Sequence, residues 1–197
     1  GLWLRYNQKS VISKNEWAEL QVPAMPELKG KLFLGVKYSN DGANVAMSIA
    51  SRTKDGRIFV EAIDCRPRRA GNQWMLPYIM NPHVDVVTVD GAIGQQLLAD
   101  EMYEMKLGTP IFPKVREIIL ANSTFESGIY SKTLCHSGQP SLAQVVSNCD
   151  KRAIGSNGGF GYKSLVDELE IALMDSAILA YWQCSESKEK KKQKVSY

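Results

Sequence analysis

Asp90 closes a β-branched run, Val84-Asp85-Val86-Val87-Thr88-Val89-Asp90, and Gly91 follows it. The alternating Val and Thr positions predict a strand, and the glycine predicts a turn into a helix over 92–105. An acid at the carboxyl end of such a strand faces the crevice where α/β sheets bind ligands. Asp also caps helices well, so the motif alone leaves Asp90 as either a cap or a ligand. Asp175 is the second candidate, because Ile171 to Ala180 is otherwise apolar apart from Ser176. An ionised acid in that company needs a partner or a metal, unless it sits at the surface. Asp41 is the third, although Asn40-Asp41-Gly42 is also what a tight turn favours. Glu61, on the same strand face as Phe59, is a further possible ligand. Clustered carboxylates suit phosphodiester cleavage, in which two hard cations about 4 Å apart activate water and stabilise the leaving oxygen. Magnesium takes few carboxylates and keeps several waters, so scattered single acids are the signature to expect.

Other chemistries find less support. The four cysteines, Cys65, Cys135, Cys149 and Cys184, form no CxxC pair, which argues against zinc and for reduced thiols. His83 and His136 stand alone, without the partner a nucleophile–base pair needs. The glycine-rich stretch 155–161 lacks both the GxGxxG spacing and the Lys-Ser/Thr of a phosphate loop, and is read as a flexible loop. Net charge is +3, with basic residues gathered at Arg66, Arg68 and Arg69 and in the tail from Lys188. The arginine cluster and Lys37 are candidate phosphate contacts, with solvated charge the commoner explanation of such runs.

Elements that would position these residues follow from the pattern. A short helix is expected over 14–20, then strands over 31–36, 44–51 and 57–65 joined by Ser39-Asn40-Asp41-Gly42 and Lys54-Asp55-Gly56. Two successive hairpins make an antiparallel meander. Helices are expected over 71–80, 92–105, 114–131, 141–151 and 168–183, with the strand 84–89 between the first two. The result is an α/β fold, a mixed sheet with an antiparallel three-stranded start and helices on its faces, in the order of the ribonuclease H-like architecture. Length and a 44% hydrophobic content suit one well-buried domain. The expected division is a lead-in over 1–29, a domain over 30–184 and a charged, disordered tail over 185–197. No apolar run approaches a membrane span, and the start of the chain has no signal peptide pattern. Lacking an initiator Met, the chain is expected to be a piece of a longer protein.

With these residues in view, the chain resembles the C-terminal nuclease domain of the large terminase subunit of tailed bacteriophages and prophages. Arg5-Tyr6-Asn7-Gln8 and Glu16-Trp17 look like the linker after the ATPase domain. Phe33 to Gly42 looks like the first nuclease strand and turn, and Val87-Thr88-Val89-Asp90-Gly91 like the central strand with its acid. Leu134 to Leu142, Val146-Ser147-Asn148-Cys149 and the Arg152 to Phe160 loop are similar to late family segments. The resemblance implies a magnesium- or manganese-dependent endonuclease, with a two-metal site, that cuts concatemeric viral DNA during packaging in the cytoplasm of a bacterial host. It implies double-stranded DNA, the terminase small subunit, the capsid portal and the chain's own ATPase half as partners, and no membrane. Asp90 matches the central-strand metal ligand and Asp175 the late-helix acid. Many members carry an Asp where this chain has Lys37, which opposes a cation there. Asp41 is then the expected replacement ligand, with Glu61 another. The competing expectations are a catalytically silent DNA-binding or motor-docking module, marked by Lys37, and another nuclease of the same architecture such as a junction resolvase.

Overall fold

The computed structural model describes the backbone of residues 9–195 and the side chains of residues 9–187. Arg5-Tyr6-Asn7-Gln8 therefore lies outside the described residues. Strands β1 (Leu28–Tyr38), β2 (Asn44–Thr53) and β3 (Ile58–Pro67) form the antiparallel meander that the two turn signals predict. β4 (Val84–Asp90) pairs in parallel with β1, and β5 (Leu134–His136) in parallel with β3. The sheet order is β4-β1-β2-β3-β5, a five-stranded mixed sheet of the ribonuclease H-like kind.

Alternation assigns the two sheet faces. Leu34, Val36, Tyr38, Val45, Met47, Val87 and Val89 point to one side. There they pack on Leu76 and Ile79 of α2 (Leu76–Ile79) and Leu98 and Met102 of α3 (Gln95–Glu104). On the other side Phe33, Ala46, Ala50, Val60 and Ala62 meet α4 (Val115–Tyr130), α5 (Pro140–Val146) and α6 (Ile171–Val195). This second face is lined by small residues, which lets α6 approach closely. A Cβ on Gly35 would lie 2.0 Å from the Ser176 carbonyl oxygen, so only glycine fits under the helix. Ser48 and Ser176 hydroxyls meet there at 2.7 Å. From Ala172 to Trp182 almost every residue of α6 is buried, as a helix covered on all sides requires.

Several expectations change. The helix expected over 141–151 is α5 alone, and Cys149–Ile154 is instead β6. The glycine stretch is not a loop throughout: Gly159–Ser164 is β7, paired antiparallel with β6. A Cβ on Gly159 would lie 2.6 Å from Ile119 Cδ1, so glycine in this strand admits α4. The helix expected over 71–80 shrinks to α2, preceded by a 3-10 turn at Arg68–Ala70. Within the expected lead-in, Ile12, Trp17, Leu20 and Val22 are buried. Its helix α1 (Lys14–Ala18) starts with a Ser13–Glu16 capping box. The backbone of α6 runs on through Val195. Its Lys, Glu and Gln residues are good helix formers on an already nucleated helix. Among the described residues, no helix is long and apolar enough to cross a membrane.

Candidate nuclease site

The strand register brings Lys37 and Asp90 side by side, on the face covered by α6. Lys37 Nζ donates to Asp90 Oδ2 at 2.6 Å, with side chains 10% and 24% exposed. A long stem lets a lysine rise from a buried strand position to a carboxylate at the strand end. Asp175 comes from above, on the first turns of α6, and lines the same small cleft with Lys37 and Asp90. Its carboxylate makes no hydrogen bond or ion pair with any described residue. Burial pushes it up from 3.8 to about 6, opposed by Lys37 and Arg152 and reinforced by Asp90 and Glu170. By surface area Asp175 is only partly buried, because the cleft opens onto it.

Two cleft residues escaped the sequence. Arg152 lies on β6, a segment read partly as helix, and Asn122 sits on the apolar stripe of α4. Glu170 stands just before α6, where its Oε1 accepts from the Ala172 amide and its Oε2 from Asn44 Nδ2. It does the helix-start work expected of an acid there. A hydrophilic residue on a core stripe, as at Asn122, was the one available signal.

Asp41 is exposed in the β1–β2 turn and does not line this cleft. Its Oδ1 accepts from Ser39 Oγ at 2.6 Å and from the Ala43 amide at 2.9 Å, which holds the carboxyl below its usual range. Glu61 alternates with the buried Val60 and Ala62, so it faces away from α6. Among the described residues no three His, Cys, Asp or Glu side chains gather around one point where a metal ion would sit. The arginines stand at the same carboxyl edge of the sheet as Asp90. Arg66 Nε donates to Asp64 and its guanidinium covers Trp74 at 4.9 Å. Arg68 Nε donates to the Gly42 carbonyl, and Arg69 is exposed. Both histidines are away from the cleft. His136 is buried, stacked on Trp17 at 4.2 Å, with its ring nitrogens bonded to the Trp17 carbonyl and the Gly138 amide.

The frame that carries these residues occurs in solved structures. The large terminase nuclease from thermophilic phage G20c with bound magnesium is 12% identical, with a TM-score of 0.59, over 89% of this chain and 98% of that one. A variant of gp2c, from the large terminase subunit of bacteriophage sf6, with calcium, is 15% identical, with a TM-score of 0.60, over 86% and 98%. The chain has the fold of a large-terminase nuclease domain. Bacteriophage HK97 large terminase shows it too, at 15% identity and a TM-score of 0.54, but this chain spans only 43% of that protein. No family model matches the sequence, and no curated protein does. Within this terminase-type fold, the arrangement offers two carboxylates as oxygen donors, flanked by an ammonium and a guanidinium suited to phosphate oxygens.

Proposed function

We propose that this chain is the DNA-cutting domain of a large terminase, a divalent-metal-dependent endodeoxyribonuclease. The observation that carries the reading is Asp175, a carboxylate in a cleft beside Asp90 with no hydrogen-bond or ion-pair partner among the described residues, on a fold shared with metal-bound terminase nucleases. A buried acid raised in this way is relieved when a cation arrives.

Two carboxylates facing one cleft fit a single divalent ion with water completing its shell, and magnesium or manganese suits such hard oxygens. Once bound, such an ion acts as a Lewis acid on a phosphodiester and lowers the pKa of attacking water. Asp90 and Asp175 would hold it. Arg152 would face the phosphate, and Lys37 would share its charge between Asp90 and an incoming phosphate oxygen. A two-metal site needs another acid, and Asp41, at the same edge of the sheet, is the proposed source if its carboxylate leaves Ser39. Arg66, Arg68 and Arg69 would contact the DNA backbone without reading sequence, so binding should weaken steeply with salt. The proposed setting is the packaging complex in the host cytoplasm, with concatemeric double-stranded DNA as substrate. The proposed partners are an ATPase half, the terminase small subunit and the capsid portal.

The Lys37–Asp90 pair favours a second reading, a catalytically silent DNA-binding or motor-docking module. Nicking of supercoiled plasmid with manganese, magnesium or EDTA, run beside Asp90→Ala, separates the two. Metal-dependent cutting that vanishes in the variant is expected. A folded protein that never cuts would favour the silent module.

A further inference from the structure

Asn122 is 4% exposed on α4 and lines the cleft that holds Asp90 and Asp175. Its Nδ2 donates to the Ile118 carbonyl at 2.8 Å. That bond fixes the amide, since turning it over would set two oxygens against each other. The other end, Oδ1, is buried and has no hydrogen-bond partner among the described residues. Buried side-chain acceptors rarely go unpartnered, and one that does calls for an explanation.

Helix packing explains how this oxygen comes to the site. α4 and α6 pack side by side: Gly128 faces Tyr181, whose hydroxyl would lie 2.1 Å from a Cβ there, and Phe125 meets the same ring edge-on at 5.8 Å. Six residues earlier on each helix stand Asn122 and Asp175, and both line the cleft. Neither carries a protein partner at the cleft. Lys37, meanwhile, stands where Asp90's strand neighbour would supply a further oxygen.

We propose that Asn122 Oδ1 is the third protein oxygen ligand of the divalent cation, with Asp90 and Asp175. An amide oxygen is a hard donor, and it adds no charge to a cleft that already holds two acids. The inference rests on the metal-dependent reading above.

Calorimetric titration of the protein with Mn²⁺, without DNA, tests it on the wild type, Asn122→Ala and Asn122→Asp. Asn122→Ala should weaken Mn²⁺ binding about tenfold while the metal-free melting temperature holds, and Asn122→Asp should bind more tightly than wild type. An alanine variant that binds like wild type would overturn the ligand role and leave the nuclease reading standing. Should the alanine variant unfold, the isosteric Asn122→Asp decides: tighter binding supports the role, and an unchanged Kd overturns it. No Mn²⁺ binding by wild type or by Asn122→Asp would overturn both the ligand role and the metal-dependent reading.

Discussion

Lys37 and Asp90 are register partners on adjacent parallel strands, joined by a 2.6 Å hydrogen bond between opposite charges. The ammonium sits where a cation would meet Asp90, and it stabilises the carboxylate without any metal. Removing one member of a largely buried pair leaves the other uncompensated. Lys37→Ala should therefore lower stability by about 1–3 kcal/mol in urea unfolding without metal, less than for a fully buried pair because Asp90 is partly exposed. Added Mn²⁺ should restore more stability to the variant than to the wild type, read as a larger rise in melting temperature.

Asp175 predicts a pH dependence. Its folded-state pKa is raised, so its contribution favours the fold below about pH 4 and is lost as pH rises through about 6. Asp175→Asn should match wild type near pH 4 and exceed it at pH 8 by up to about 3 kcal/mol in metal-free buffer. Denaturant unfolding at the two pH values measures this. Equal stability at pH 8 would mean that the carboxylate is not desolvated.

Gly35 lets α6 lie on β1, and through α6 it sets the height of Asp175 over the sheet. Gly35→Ala would drive a methyl group into the Ser176 carbonyl and the Ala180 amide, backbone atoms that cannot give way singly. Overpacking of this kind should cost about 3 kcal/mol or more. Chemical unfolding of the variant is the check, and a loss below about 1 kcal/mol would show that α6 shifts freely.

His136 holds the lead-in to the domain. Burial lowers its pKa, and Nδ1 accepts from the Gly138 amide, so the ring is neutral with Nε2 donating to the Trp17 carbonyl. Stability from this contact is fully present above pH 6.5 and is lost as pH falls below it toward the lower folded-state value. Protection factors of the α1 amides, corrected for the intrinsic slowing of exchange at lower pH, should fall between pH 7 and pH 5 in wild type. His136→Gln should remove that dependence.

Much of this was legible in the residues themselves. Asp90 is announced by its strand run and Gly91, Asp175 by its apolar company, and the meander by two turn signals; each is a local pattern that alternation or turn chemistry enforces. Lys37 stood out only through the resemblance, as a lysine where many members carry an Asp, although its partner did not. The β6–β7 hairpin was hidden because Gly159 and Gly161 suppress strand signals to admit α4 and Ile154.

By itself the sequence determined the antiparallel meander, the strand that ends at Asp90 and the helix that carries Asp175, since period and turn preference act over a few neighbouring residues. Only tertiary structure decided which polar groups share the cleft. Asn122, Arg152 and Lys37 reach Asp90 and Asp175 through a strand register and through two helices packed over Gly35 and Gly128. It decided as well that the Asp41 carboxylate is engaged within its own turn. The physical reason is that side chains far apart in sequence meet only where close packing sets the height and rotation of each helix, and no local pattern encodes that fit.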